Sequence, residues 1–320
     1  MSAVNQQEVL ASFKVLVSMA KADGKLLEEE FTSLADTFEE IHLPEGVTVD
    51  RLLNEDDEPI DTLLAQITSD IAQEMVYQSA YAMANIDGEY SPEEQALLEK
   101  IGKTFTNSKL WGKQEWLETL ERRSTRLSIS EQISQIDDPE KRAVEVENAI
   151  TDTCFLNAVL GAFPLPGIAI AFDMLIYWNQ LDLAQTIGQS WGYDRDKENL
   201  RKALFGSLGI TGTRIAVSNL AKLVPVFGMV VGATTAFAST WALGKVANEY
   251  FASGGEMDAF SLRQAFKKAK KEGEAVYKTK ADEITAKKQA IEPVVQLLNE
   301  ELKAGSISPE EYQIKIKELL

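Results

Sequence analysis

Apolar positions near the start of the chain recur at helical spacing: Leu10, Phe13, Leu16 and Ala20 form one stripe, and Met75, Ser79 and Met83, flanked by Tyr77 and Tyr81, form a second. Each stripe runs into a turn and another helix. MAKADGKLLEEE at 19–30 and MANIDGEYSPEE at 83–94 match at six of twelve positions with an offset of 64 residues. The front of the chain is therefore predicted to be two equivalent helix hairpins. Gly24 and Gly88 supply permissive turn backbone, and SPEE is a helix start with Ser91 as N-cap, Pro92 at the first helical position and Glu94 reaching back.

The pattern then changes. Between 153 and 181 the only charged side chain is Asp173, and 223–244 carries none. FPLPG at 163–167 breaks the first stretch into two helices meeting at a turn. The second stretch would be about 33 Å long as one helix, the thickness of a bilayer core. Its Gly228 and Gly232, followed by Ala233, Ala236 and Ala238, offer a small-residue face for close helix packing. Trp241, like Trp178, Trp191 and Tyr250, lies towards a helix end, as an interfacial aromatic would. A helix buried in a bundle is apolar all round in the same way, Pro225 shortens the usable span, and Asp173 is costly in lipid unless it faces protein. Membrane contact and a closed core both fit these stretches.

Further on, 255–290 holds nine basic and six acidic residues with few large apolar ones, which predicts a charged, solvated helical linker whose lysines could touch anionic headgroups. The end is a predicted hairpin: Leu297, Leu298 and Leu302 on one helix, Gly305 as its stop, Ser308 and Pro309 as the next start, and Tyr312, Ile316 and Leu319 facing back. Thirty residues are too few to be stable alone, so the hairpin must pack on something.

Composition sharpens this outline. The 320 residues carry 32 basic and 50 acidic side chains, a net charge of -18. Residues 1–121 hold 8 basic and 25 acidic groups, whereas 122–320 hold 24 and 25. The sign changes at RRSTR, 122–126, which places the first boundary there. The expected protein is all-α and multi-domain: an acidic helical domain at 1–121, a helical linker at 122–148, an apolar helical domain at 149–254, the charged linker at 255–290 and the hairpin at 291–320. Such acidity argues against a nucleic-acid partner. The N-terminus shows no basic region followed by an apolar one, so the expected location is the cytoplasm, at the inner face of a membrane if the apolar helices engage one.

Little catalytic chemistry survives. One histidine, His42, and one cysteine, Cys154, exclude a multi-cysteine zinc cage, a CxxC pair and an internal disulfide. GQSWG at 188–192 fits a nucleophile elbow, but no strand precedes it and no histidine follows Ser190, so it is a helix end. GKT at 102–104 lacks the glycine loop of a phosphate cradle. Cys154, in an apolar run, is a small core hydrophobe. The repeated Asp-Gly followed by a distant Glu matches the second half of a calcium loop, but Met19 and Lys21, or Met83 and Asn85, stand where the first ligands belong. A site shared by the two copies would use Asp23, Glu30, Asp87 and Glu94, with calcium or magnesium as ligand and no cofactor required. Helix capping explains the same acidic residues without a metal.

Three resemblances follow from these motifs. The paired ADG and IDG hairpins, over about 5–120, resemble the TerB-like domain of tellurite-resistance and related stress proteins, which implies an all-helical fold with the acidic positions as a metal site. GIAIAFDMLIYWNQLDLAQTIGQSWGYD and LVPVFGMVVGATTAFASTWALGKVANEYFASGG resemble a helical domain of unknown function found beside Era-like GTPases, which implies membrane association and no catalytic residue. The ending, with L-x-x-G-x-I-S-x-E-E-Y and a terminal K-x-L-L, is similar to the SHOCT domain, which implies homo-oligomerisation. The expected function is that of a non-enzymatic, membrane-associated scaffold or stress-response adaptor. Its partners would be membrane lipid, a GTPase or another stress protein. The alternative is a soluble stress protein, or the helper of a separately encoded GTPase, with the apolar helices forming a closed core.

Overall fold

The computed structural model describes residues 5–22, 35, 48, 52–53, 58–86, 91–105, 135–163, 169–194, 200–210, 212–221, 223, 229–304, 306–307 and 309–319. The protein is all-α, with no strand among the described residues. Its helices are α1 (Gln6–Ala20), α2 (Ile60–Gln66), α3 (Asp70–Ile86), α4 (Pro92–Thr104), α5 (Pro139–Gly161), α6 (Ala169–Ser190), a π-helical turn (Arg201–Gly206), α7 (Gly212–Ala221), α8 (Met229–Ala252), α9 (Ala259–Lys303) and α10 (Pro309–Leu319). The chain divides into two units: Met1–Gly112 with Leu165–Ala171 and Gly209–Phe227, and Lys113–Pro164 with Phe172–Leu208 and Gly228–Leu320.

In the first unit α1 is buried on more than the one face its stripe predicts. Val9, Phe13, Val15, Leu16 and Val17 are all buried because α2, α3 and α7 pack around the helix. Glu8 organises its start. The Asn5 side chain accepts from the Glu8 N–H at 2.9 Å, and Glu8 Oε2 accepts from the Asn5 N–H, which closes a capping box. Glu8 Oε1 meanwhile accepts from the N–H groups of Thr68 and Ser69, at 2.7 and 2.6 Å, and from the Thr68 hydroxyl at 2.9 Å. One carboxylate thus caps α1 and clamps the turn that opens α3, whose unpaired N–H groups favour negative charge. Burial pushes the Glu8 carboxyl up, but the donations from Ser69, Thr68 and Asn5 outweigh it and hold its pKa below the ordinary 4.5.

α7 comes from the rear half of the sequence yet packs on α3 and α1. It explains an anomaly in the α3 stripe: Ser79, fully buried among apolar neighbours, accepts on its hydroxyl oxygen a hydrogen bond from Asn219 Nδ2 of α7 at 2.8 Å. A rear domain running unbroken over 149–254 does not anticipate this return of the chain.

The second unit is centred on α8, which packs along both α5 and α9. α5 and α8 run antiparallel, and they approach backbone to backbone at Gly161 and Gly232. A Cβ on Gly232 would overlap the Gly161 carbonyl oxygen, and one on Gly161 would lie 2.7 Å from the Gly232 carbonyl oxygen. α9 is a single helix of 45 residues. It is no solvated linker, because Leu262, Ala269, Gly273, Ile284, Ile291, Val295 and Leu298 are buried along it. The expected boundaries at 148/149 and 290/291 both fall inside continuous helices, since a shift in composition ends no helix unless a cap or breaker accompanies it. Even Pro293, which removes one backbone donor, lies within α9. At the end, the Tyr312 hydroxyl donates to Asn299 Oδ1 at 2.6 Å, both residues being buried, so the two arms of the C-terminal hairpin close on one another.

Two stability experiments probe the first unit. Ser79→Ala is expected to cost about 2 kcal/mol in denaturant unfolding because it leaves the buried Asn219 amide without its acceptor, and adding Asn219→Leu should recover most of that loss. Glu8→Gln should lower stability at pH 7 by about 2 kcal/mol, the worth of charge-assisted bonds. Because the folded pKa is depressed, the Glu8 contribution is complete above the unfolded value near 4.5 and fades as pH falls toward the folded one. The gap between wild type and Glu8→Gln is therefore expected to close in acid; a gap that stays constant with pH would show that charge has no part in the clamp.

Candidate functional site

Asp23, Glu30 and Asp87 lie outside the described residues, as do Gly228 and His42. Glu94 is described, and it caps α4: its Oε2 accepts from the Ser91 N–H at 2.9 Å, while its own N–H donates to Ser91 Oγ at 3.1 Å. That is the SPEE start read from sequence. Among the described residues no three metal-ligating side chains cluster.

The apolar stretches come together in the second unit, where α5, α6 and α8 enclose a polar chain within their common core. Asn157, fully buried on α5, donates to Thr240 Oγ1 of α8 at 2.9 Å and accepts from Asn179 Nδ2 of α6 at 2.8 Å. Gln180 Nε2 lies within hydrogen-bond reach of Thr240 Oγ1 at 3.0 Å and Ser239 Oγ at 3.2 Å. The hydroxyls of Thr240 and Ser239 in turn donate to the Ala236 carbonyl, at 2.7 and 3.3 Å. Each hydroxyl proton is thus committed to a backbone oxygen, and the arrangement aligns helices rather than activating a nucleophile. Its trace in the sequence was visible: Asn157, Asn179, Gln180, Ser239 and Thr240 are among the few polar residues of largely apolar runs.

Gly232 occupies the close contact with α5 that the small-residue face predicts. Trp241 lies in the middle of α8 rather than towards its end. It is buried, stacks on Phe237 with ring centroids 6.3 Å apart, and packs against Gly273 of α9. The Lys245 ammonium stands 4.7 Å over its ring while pairing with Glu147 Oε2 at 2.5 Å. Trp178 is buried as well, and Trp191 is held by Asn248 Oδ1 at 2.8 Å and by the Arg142 guanidinium 3.7 Å over its ring. Trp191 thus finds its polar and cationic partners on α8 and α5. No described helix is long and apolar enough to cross a membrane; residues 224–228 of the uncharged stretch lie outside the described set.

The excluded motifs hold their expected places. Ser190 is buried at the end of α6, its hydroxyl donating to the Ile187 carbonyl at 2.7 Å, and Gly192 follows with a positive φ of 88°. Gly102 and Thr104 are in the last turn of α4. Cys154 is fully buried, and burial, reinforced by the Glu147 carboxylate, pushes its thiol far up against the opposing pull of Lys245. It is no nucleophile at neutral pH.

No family model and no solved structure matches the chain. It is similar to an uncharacterized protein of Synechocystis sp. (strain ATCC 27184 / PCC 6803 / Kazusa), 28% identical over 119 residues, covering 35% of this chain and 77% of that protein.

The close approach of α5 and α8 is testable by substitution. Gly232→Ala is expected to destabilise the protein by about 3 kcal/mol in thermal unfolding, because the added methyl meets backbone rather than a movable side chain. Gly206→Ala, whose methyl meets only the Arg201 carbonyl oxygen at 3.5 Å, should change stability by less than about 1 kcal/mol.

Proposed function

We propose that this protein is a non-enzymatic helical scaffold or adaptor whose apolar helices form its own closed core. The observation that carries the reading is the polar chain of Asn157, Asn179, Gln180 and Thr240: α5, α6 and α8 turn their polar groups on one another, and their small and aromatic residues too. A lipid-inserted bundle can also bury such groups, but it then has to show lipid an uncharged outer surface. Here the partner of α8 is α9, and the outer side of α9 is lined with charge. The acidic front, with 25 acidic against 8 basic residues, suits display to cationic or polar partners, while the intramolecular polar bonds in the core support a structural role over catalysis.

Membrane fractionation of cells expressing the full chain tests the closed core. Alkaline carbonate is expected to release the protein completely into the supernatant. Retention in the carbonate-washed membranes would mean that the apolar helices insert, and would overturn the reading.

A further inference from the structure

We propose that the outer face of α9 is a docking strip for an anionic lipid surface. Between 260 and 280 the chain carries seven basic residues and only two acidic ones, within a protein of net charge -18. Helical periodicity of about 100° per residue gathers Arg263, Lys267, Lys270, Lys271 and Lys278 into one arc roughly 100° wide. That arc is turned away from Leu262, Ala269 and Gly273, which α9 buries. Arg263, Lys267, Lys271 and Lys278 are exposed and Lys270 is half-exposed. None of the five joins an ion pair; in this segment only Lys280 does, with Glu283 at 3.3 Å.

An unpaired row of cations is not by itself selective, and Phe260 supplies what distinguishes its target. It is 71% exposed, the most exposed large hydrophobic side chain among the described residues, and helical spacing puts it on the same arc, one turn before Arg263. A straight strip about 27 Å long, cationic along its length and aromatic at one end, matches a planar surface with phosphate above and hydrocarbon beneath. A phosphate backbone or an acidic protein surface would use the lysines but leave the phenyl ring in water. Glu274, exposed on the arc, opposes binding. Asp258 is bound to the cap of α9, accepting from the Ser261 N–H at 2.8 Å, and lies on the other side of the helix. The near balance of charge over 122–320 lets this strip act locally, since at physiological salt fields fade within about 8 Å.

The experiment is co-sedimentation of the full chain with vesicles of phosphatidylcholine alone and with roughly 30% phosphatidylglycerol, at physiological and at high salt. The protein is expected to pellet with the anionic vesicles only, and high salt should release it. Each cation near such a surface is worth roughly a fivefold change in partition, so Lys267→Gln, Lys271→Gln and Lys278→Gln together should lower it about a hundredfold. Phe260→Ser should lower it about tenfold without changing the salt dependence, and Glu274→Lys should raise it about fivefold or more. All these side chains are exposed, so thermal unfolding should stay unaltered and exclude misfolding as the cause. Equal pelleting with neutral vesicles, unchanged binding of the triple variant, or no gain from Glu274→Lys would overturn the proposal. Tighter binding to duplex DNA than to vesicles, or self-association that the triple variant abolishes, would overturn it equally. Salt-reversible binding is distinct from carbonate-resistant insertion, so this proposal and the closed-core reading fail separately.

Discussion

The backbone contact of α5 and α8 at Gly161 and Gly232 sets the geometry of the second unit. Two helices that meet carbonyl to Cα can run side by side only in one register, and here the register is antiparallel. From that point Asn157 falls opposite Thr240, Ile150 opposite Gly244, and Glu147 opposite Lys245. Each pair needs the one before it. A slip of one residue would bury Asn157 against an apolar neighbour and separate Glu147 from Lys245, and unpaired buried polar groups are what a packed core tolerates least.

The first unit solves a different problem. α1 and α3 are each apolar on more than one side, so a single hairpin cannot cover them, and α7 arrives from more than a hundred residues away to complete the enclosure. Glu8 and Asn219 mark two of its long-range ties. One is a carboxylate whose charge is stabilised by backbone N–H groups at the start of α3, and the other an amide that satisfies the serine hydroxyl buried in the middle of that helix. Both place polar chemistry inside, where it orders the fold.

α9 ties core and surface together in the second unit. Its inner side meets α8 through Gly273, which admits Trp241, and through Tyr277, whose ring lies 5.8 Å from that of Phe237. Its outer side carries the cations. One helix can hold both because period 3.6 separates the two sets between 260 and 278. The scaffold reading and the lipid-docking strip therefore concern opposite sides of one helix, and neither requires a reactive group.

Much was legible in the sequence for a local reason. The helical periods, the SPEE cap, the turn after Ser190 and the small residues at Gly232 depend on neighbours within a few positions, so they can be read from the chain directly. The buried face of α9 and the burial of Trp178 and Trp241 were not legible, because exposure depends on what stands opposite. Gly273 and Ala269 are too small to signal a buried face by hydropathy, and Trp241 looks the same at a membrane boundary as beneath Lys245. By itself, then, the sequence determined that the chain is helical, where its caps and small residues lie, and how its charge is divided. Only the tertiary structure decided which faces are inside, that Ser79 waits for Asn219, and that Asn157 meets Thr240, because burial and pairing across 83 or 140 residues are properties of contact and not of period.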